Sequence, residues 1–185
     1  PEEIIICTST VSQDDPLEVI AKEEGVKCFR GDSEDVLLRL TNSAKLFDVE
    51  TVISCTADNP FVDPGYVDKL YQYHIEQKNE FTRIDGLPWG VSSFAVSRDA
   101  LKKACDLKDE TDTEVWMGYF IGTGHFKWGV LKVVDNLVHW PELRVTVDTP
   151  EDFLMVTRIF DELNDSNNIF PLTEIVSLCR QNPDI

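Results

Sequence analysis

Apolar and polar positions follow two rhythms along this chain, and the changes from one to the other mark an alternation of strands and helices. Short apolar and β-branched runs at residues 3–8, 26–29, 51–56, 81–84, 91–96, 126–134 and 144–147 predict strands. Helical spacing lies between them, in Leu17, Ile20 and Ala21, in Val36, Leu37, Leu40, Ala44 and Phe47, and in Val67, Leu70, Tyr71 and His74. Phe153, Val156, Ile159, Phe160 and Leu163 make a further apolar face, and a last helix is expected at about 171–180. The start signals fit: Asp15-Pro16, Ser33, Asp63-Pro64, Ser97 and Thr149-Pro150-Glu151-Asp152 each offer a cap or a proline for the first turn. Thr111 to Glu114 matches a capping box and predicts another helix reaching about Ile121. The alternation predicts an α/β fold, a mostly parallel mixed sheet flanked by helices.

One stretch, TVISCTADNPFVDP at residues 51–64, organises the rest. Its first half reads as a fully buried strand, and Asn59-Pro60 forces the chain out of the sheet where Asp58 stands. Asp58 is thus expected at a strand's carboxyl end, the edge at which open α/β sheets bind ligands. Asp148 has the same setting at the tip of 144–147, and a carboxylate just before the capping Thr149 has no capping duty. Two carboxylates at two strand tips can share one hard cation.

Other segments keep two readings each. The glycine turn at 30–37, leading into a helix capped by Ser33, either presents free N–H groups to a phosphate or base edge, or is a plain turn and cap. The connection at 85–90, with Trp89, either closes over a substrate or is an ordinary loop. The aromatics of 126–140 suit an arm packing on a partner subunit or burial in their own core. His74, His125 and His139 read as packing or surface residues, since none has a second ligand at metal spacing.

Composition narrows the partners. A net charge of −17 and a pI near 4.4 argue against nucleic acid and acidic lipid, so an anionic substrate would need a bound cation or a few placed arginines. The 185 residues, 42% hydrophobic, predict a single domain over 1–185. No run is long enough to cross a membrane and no leader is recognised, which predicts the cytoplasm. Five cysteines without CxxC spacing predict buried free thiols in a reducing compartment. There the sequon Asn164-Asp165-Ser166 carries no weight. A strand directly after Pro1 predicts that a segment precedes this chain.

Four motifs in order, Ile5-Ile6-Cys7-Thr8-Ser9, the run from Phe29 to Arg39, Thr56-Ala57-Asp58-Asn59-Pro60 with Val62-Asp63-Pro64, and the run from Arg144 to Asp152, resemble the cytidylyltransferases that activate acidic sugars such as 3-deoxy-manno-octulosonate and the acylneuraminates. The spore-coat polysaccharide branch is the nearest in look. The resemblance implies a Rossmann-like nucleotidyltransferase fold in which a sugar oxygen attacks the α-phosphorus of CTP and releases pyrophosphate. It implies Mg²⁺ on Asp58 and Asp148, which are also the catalytic pair, and a nucleotide pocket of Thr8, Ser9, Gly31, Asp32 and Ser33. Leu87, Pro88, Trp89 and Gly90 fall on the sugar side, and a homodimer is expected. The family opens with a strand and a phosphate loop bearing glycine, arginine and lysine, and this chain starts after that point. Phosphate neutralisation would then fall to the metal and to residues such as Arg30 and Arg39. The alternatives are a transferase for another nucleoside triphosphate or a sugar phosphate, and a non-catalytic nucleotide-binding or scaffold module without the phosphate loop.

Overall fold

The computed structural model describes residues 3–163 and 170–183, and the sequon at Asn164 lies outside them. The strands are β1 (Ile5–Ser9), β2 (Lys27–Gly31), β3 (Thr51–Ser54), β4 (Phe81–Asp85), β5 (Phe94–Ser97) and β6 (Trp128–Lys132). The helices are α1 (Asp15–Glu23), α2 (Val36–Leu46), α3 (Pro64–Gln77), α4 (Arg98–Leu107), α5 (Pro150–Leu163) and α6 (Leu172–Gln181). β1 and β2 pair in parallel, and the other strands form a sheet in the order β3-β5-β4-β6. The expected α/β class is what the structure shows. The chain divides into two compact units, one of Pro1–Val52, Lys78–Phe81 and Val96–Trp128, the other of Ile53–Gln77, Thr82–Ala95 and Gly129–Ile185.

In the first unit α1 and α2 pack on the β1–β2 pair and α2 packs on α4. Leu37, Ala44, Ala100, Leu101 and Ala104 are all buried there. A second apolar centre is aromatic: Phe81 stacks on Phe120 at 5.0 Å, and Trp116 meets both rings edge-on. This cluster explains why the capping box at 111–114 starts no α-helix. Only a 3-10 turn, Trp116–Tyr119, forms, because Trp116 and Phe120 are drawn into the cluster and Asp112, not Thr111, takes the Glu114 N–H at 3.3 Å.

Ser33 does not cap α2. Asp32 Oδ1 accepts the N–H groups of both Glu34 and Asp35 at 2.9 Å, which delays the helix by two residues, and Asp35 becomes the cap. The Asp35 carboxylate accepts from Leu38 N and from Thr113 Oγ1, each at 3.0 Å, and from the Lys108 ammonium. Thr113 Oγ1 in turn accepts the Leu37 N–H at 2.9 Å. The side chains of Asp35 and Lys108 are only 4% and 11% exposed, so this is a buried ion pair that ties α2 to the segment after α4.

The second unit has the larger aliphatic core, with Leu70, Ile84, Val91, Val145, Ile159, Ile175 and Val176 at its centre. Asp63 caps α3 through Tyr66 N at 3.0 Å, and its other oxygen receives Leu172 N at 3.4 Å at the start of α6. α5 begins as its sequence predicts: Thr149 Oγ1 accepts from Asp152 N at 3.2 Å while Asp152 Oδ2 accepts from Thr149 N at 2.9 Å. His74 meets Thr82 at 2.9 Å and His139 meets the Val133 carbonyl at 2.8 Å, both in packing roles. Among the aromatics of 126–140, Phe126 and Trp140 pack inward while Trp128 is 37% exposed. Phe126 lies against Phe120, Val138 is buried, and Trp140 packs on the core under the Arg180 guanidinium.

Several expected strands are cut back: 91–96 begins only at Phe94, 126–134 shrinks to Trp128–Lys132, β3 ends at Ser54 and is half-buried along its length rather than fully buried, and 144–147 forms no ladder. That segment divides its backbone bonds between two partners: Trp89 N donates to Leu143 O and Val145 N to Trp89 O, while Val147 N donates to Asp58 O, all at 2.8 Å. A single parallel bridge, Trp89 with Arg144, is all that the division leaves.

Gly90 makes this close approach possible: its φ is 96° and a Cβ on it would stand 2.5 Å from the Thr146 nitrogen, while Gly86, with φ of 101°, lies against the Val133 carbonyl instead. Gly90→Ala is therefore expected to cost on the order of 3 kcal/mol, read as a lower midpoint in urea unfolding, and an unchanged midpoint would contradict the packing described. Asp35→Ala strands a buried ammonium and removes a helix cap, so a loss of about 3–5 kcal/mol is expected in the same measurement. A loss below about 1 kcal/mol, the range of exposed pairs, would show that the knot is open to water.

Candidate functional site

The predicted site residues fall on two edges, one in each unit. On the edge of the second unit, Asp58 sits in a turn beyond β3, held by Asn59 N to Thr56 O at 3.1 Å and by Asn59 Nδ2 to Thr56 Oγ1 at 2.6 Å. Its carbonyl receives the Val147 N–H at 2.8 Å and the Thr146 hydroxyl at 3.3 Å. Two stretches ninety residues apart in sequence are thus joined backbone to backbone, and Asp148 is the next residue along. Both aspartates are exposed.

The two carboxylates differ in company. Among the described residues no ion pair or side-chain hydrogen bond involves the Asp58 carboxylate. Asp148 is paired with the guanidinium of Arg144, which also binds Asp152 at 3.1 Å. Asp152 in addition accepts the N–H groups of Asp148 and Thr149, at 3.0 and 2.9 Å. The Arg144 guanidinium and these amides hold the Asp152 carboxyl well below the usual range, and its two carboxylates push Arg144 upward. Asp152 is therefore the anchor of this edge, fixing the backbone from which Asp148 projects.

The residues expected on the sugar side adjoin the same edge. Leu87, Pro88 and Gly90 are buried, whereas Trp89 is 66% exposed and bridges to Arg144. An open apolar cleft of about 510 Å³ also borders Asp58, lined by Pro60, Val147, Phe153, Val156 and Phe160.

On the edge of the first unit, the parallel ladder sets Thr8 beside Arg30 and Ser9 beside Gly31, at the carboxyl ends of two neighbouring strands. Thr8 and Ser9 are buried, and their donors are already engaged: Asp14 Oδ2 accepts both hydroxyls at 2.6 Å and the Ser9 N–H at 3.0 Å. The Ser9 and Thr8 hydroxyls pull the Asp14 carboxyl down to about 2. Arg30 donates to the carbonyls of Ser9 and Val11 at 2.9 Å and pairs with Asp15 and Glu18, so it clamps the loop rather than offering a bare charge. Arg39 donates to the carbonyls of Asp32 and Ser33, and no ion pair among the described residues involves it. Of the two arginines it is the one whose charge is uncompensated. Asp32 and Ser33 are exposed, and Gly31 leaves room for Phe29 and Arg39 to close over β2.

Several of these roles escaped the sequence. Asp14 stands five residues beyond a strand end with no motif to mark it, and Arg144 opens the last of the four motifs without a task of its own. Arg144 and Asp148 have the i, i+4 spacing of a helical pair, yet they pair across extended backbone.

The chemistry of the donor set decides what the second edge can hold. Among the described residues no group of three or more acidic, histidine or cysteine side chains is placed for a metal. Asp58 and Asp148 alone suit a hard ion that keeps most of its water or substrate oxygens, the habit of Mg²⁺ and not of zinc. All five cysteines are free. Burial raises the thiols of all five, Cys55 included, which keeps them neutral, and Cys55 stands just past β3, not in it. No helix among the described residues is long and apolar enough to cross a membrane.

Comparison with known proteins gives the same picture for the fold. A family model described as cytidylyltransferase matches residues 1–182. The chain is 27% identical to the spore coat polysaccharide biosynthesis protein SpsF of Bacillus subtilis (strain 168), over 99% of this chain and 77% of that protein. A cytidylyltransferase from Leptospira borgpetersenii serovar Hardjo-bovis (strain JB197) superposes with a TM-score of 0.87 at 21% identity, covering 97% of this chain and 76% of that one. The molybdopterin-guanine dinucleotide biosynthesis protein A of Archaeoglobus fulgidus shares the fold more distantly, with a TM-score of 0.54 at 13% identity over 80% of this chain and 75% of that one. With the family matched over residues 1–182 and an α/β nucleotidyltransferase fold beneath it, the chain belongs to the cytidylyltransferases.

Proposed function

We propose that this protein transfers a cytidylyl group from CTP to an acidic sugar, for the synthesis of a surface polysaccharide or glycan. The observation that carries the proposal is the Val147 to Asp58 backbone bond, which brings two exposed aspartates to one edge in a chain of this family. In the transfer a sugar hydroxyl oxygen bonds to the α-phosphorus, the bond to pyrophosphate breaks with its electron pair on the leaving oxygen, and the hydroxyl proton passes to water. Asp58 and Asp148 hold Mg²⁺, with Asp152 and Arg144 fixing the backbone of Asp148. When bound, Mg²⁺ supplies positive charge to oxygens that gain negative charge as the phosphoryl group moves.

Thr8, Ser9, Gly31, Asp32 and Ser33 contact the nucleotide, and Leu87, Pro88, Trp89 and Gly90 the sugar. Since Asp14 already fills the donors of Thr8 and Ser9, these two shape the pocket rather than grip a phosphate. Arg39 faces phosphate and Arg30 supports the loop. Five unbridged cysteines suit a cytoplasmic enzyme, and a homodimer fits the apolar Val134 and Leu137 left at the surface. One observation favours a second reading, a non-catalytic nucleotide-binding or scaffold module: Asp14 occupies an edge that a phosphate-gripping site would keep open.

Thermal unfolding with each of the four nucleoside triphosphates, with and without Mg²⁺, separates these readings. CTP with Mg²⁺ is expected to raise the midpoint by about 5–10 °C near a hundredfold excess over Kd, and Asp58→Ala or Asp148→Ala to remove the gain. A larger gain with another triphosphate would reassign the nucleotide. Equal gains with and without Mg²⁺ would support the non-catalytic module.

A further inference from the structure

Two carboxylates share the single guanidinium of Arg144, and they are not equivalent. The Asp152 side chain is 15% exposed and holds two backbone N–H groups besides Arg144. The Asp148 side chain is 49% exposed, and among the described residues Arg144 is the group that binds its carboxylate. The pair with Asp152 is therefore the anchor, and the pair with Asp148, open to water, is the exchangeable one.

Trp89 stands next to this exchangeable contact. Residues facing each other across a bridge project their side chains to one face, so the exposed indole and the half-exposed guanidinium leave the backbone on the same face. Leu87, Pro88 and Gly90 are buried and leave the indole outward, so its exposure is set by how the loop packs. A flat apolar face beside a forked cation suits a sugar ring that bears a carboxylate. Charge sets the order of events. Asp58, Asp148 and Asp152 against Arg144 leave this edge at −2, which repels an anion until the first two are neutralised.

We propose that Trp89 and Arg144 form the acceptor subsite, in which Arg144 exchanges the Asp148 carboxylate for the acid group of the sugar once Asp58 and Asp148 have taken up the cation. The inference rests on the carboxylate-pair reading given under Proposed function. It makes cation and acceptor acid cooperative, because Arg144 freed from Asp148 is what the acid binds, and the coupling is reciprocal.

The test titrates the whole chain with Mn²⁺ alone, read by water-proton relaxation, and then adds N-acetylneuraminate or 3-deoxy-manno-octulosonate at saturating Mn²⁺. Arg144→Gln is expected to bind Mn²⁺ about threefold more tightly than the wild type, since Asp148 no longer leaves an ion pair. It should bind the sugar acids at least about tenfold more weakly. A purely structural role for Arg144 would weaken both. Arg144→Lys keeps a cation and should restore wild-type Mn²⁺ affinity. Trp89→Ala, a truncation at the surface, should weaken the sugar acids by about tenfold and leave Mn²⁺ affinity unchanged, so the proposal stays testable if Arg144→Gln does not fold. Mn²⁺ affinity in Arg144→Gln equal to or below that of the wild type overturns the proposal, as do sugar acids that bind the wild type no better with Mn²⁺ than without. A wild type that binds no Mn²⁺ overturns instead the carboxylate pair on which the proposal stands.

Discussion

A hydrogen bond between the Val147 N–H and the Asp58 carbonyl, 2.8 Å long, is the contact on which the rest of the second unit's functional edge depends. It costs the fold little, since both groups need a partner in any case. Its consequence is topological. It joins the turn after β3 to the extended segment before α5, and each segment carries one of the two aspartates. The neighbouring contacts support it: Thr146 adds a side-chain bond to the same carbonyl, and Gly90 lets the backbone at Thr146 approach where any Cβ would collide. The capping box of α5 then holds the backbone at Asp148 in place, because the Asp152 carboxylate accepts its N–H.

A second theme is charge that the molecule compensates internally. The chain has 17 lysines and arginines against 34 aspartates and glutamates, so cations are scarce. Most of those near the two edges are engaged: Arg30 with Asp15 and Glu18, Lys108 with Asp35, and Arg144 with Asp148 and Asp152. Arg39 binds carbonyls and keeps its charge. In the proposed acceptor subsite an anion would bind by exchange, one carboxylate giving up its partner as another charge arrives. The exposed Arg144–Asp148 pair is suited to such an exchange, and the buried Asp35–Lys108 pair is not.

Much of the fold was legible in the sequence because local signals decide it. Thr149-Pro150-Glu151-Asp152 specifies a helix start by its own hydrogen bonds, and α5 runs from Pro150 to Leu163 as the apolar spacing requires. Most of the misreadings involve long-range partners that no local pattern encodes. Ser33 looked like a cap, yet Asp32 closed a turn first and Asp35 met Thr113 and Lys108 from far along the chain. The capping box at 111–114 yielded to an aromatic cluster that includes Phe81, some thirty residues earlier. Residues 144–147 have the composition of a strand, but their backbone bonds go to two different partners. Asp58 and Asp148 were expected at strand tips, yet β3 ends at Ser54 and 144–147 forms no ladder, so it is the long-range Val147 to Asp58 backbone bond that brings their two stretches together. The partner of Asp148 was not legible, since a guanidinium's choice among nearby carboxylates depends on packing.

The central claim is that Asp58 and Asp148 act as one ligand pair. A crystal structure grown with CTP and Mn²⁺, with the anomalous signal of the metal recorded, tests it directly. The account predicts an ion at coordinating distance, about 2.1 Å, from an oxygen of each aspartate, with Arg144 turned away from Asp148. An ion held elsewhere, or the Arg144–Asp148 pair intact with no ion between the two aspartates, would contradict it.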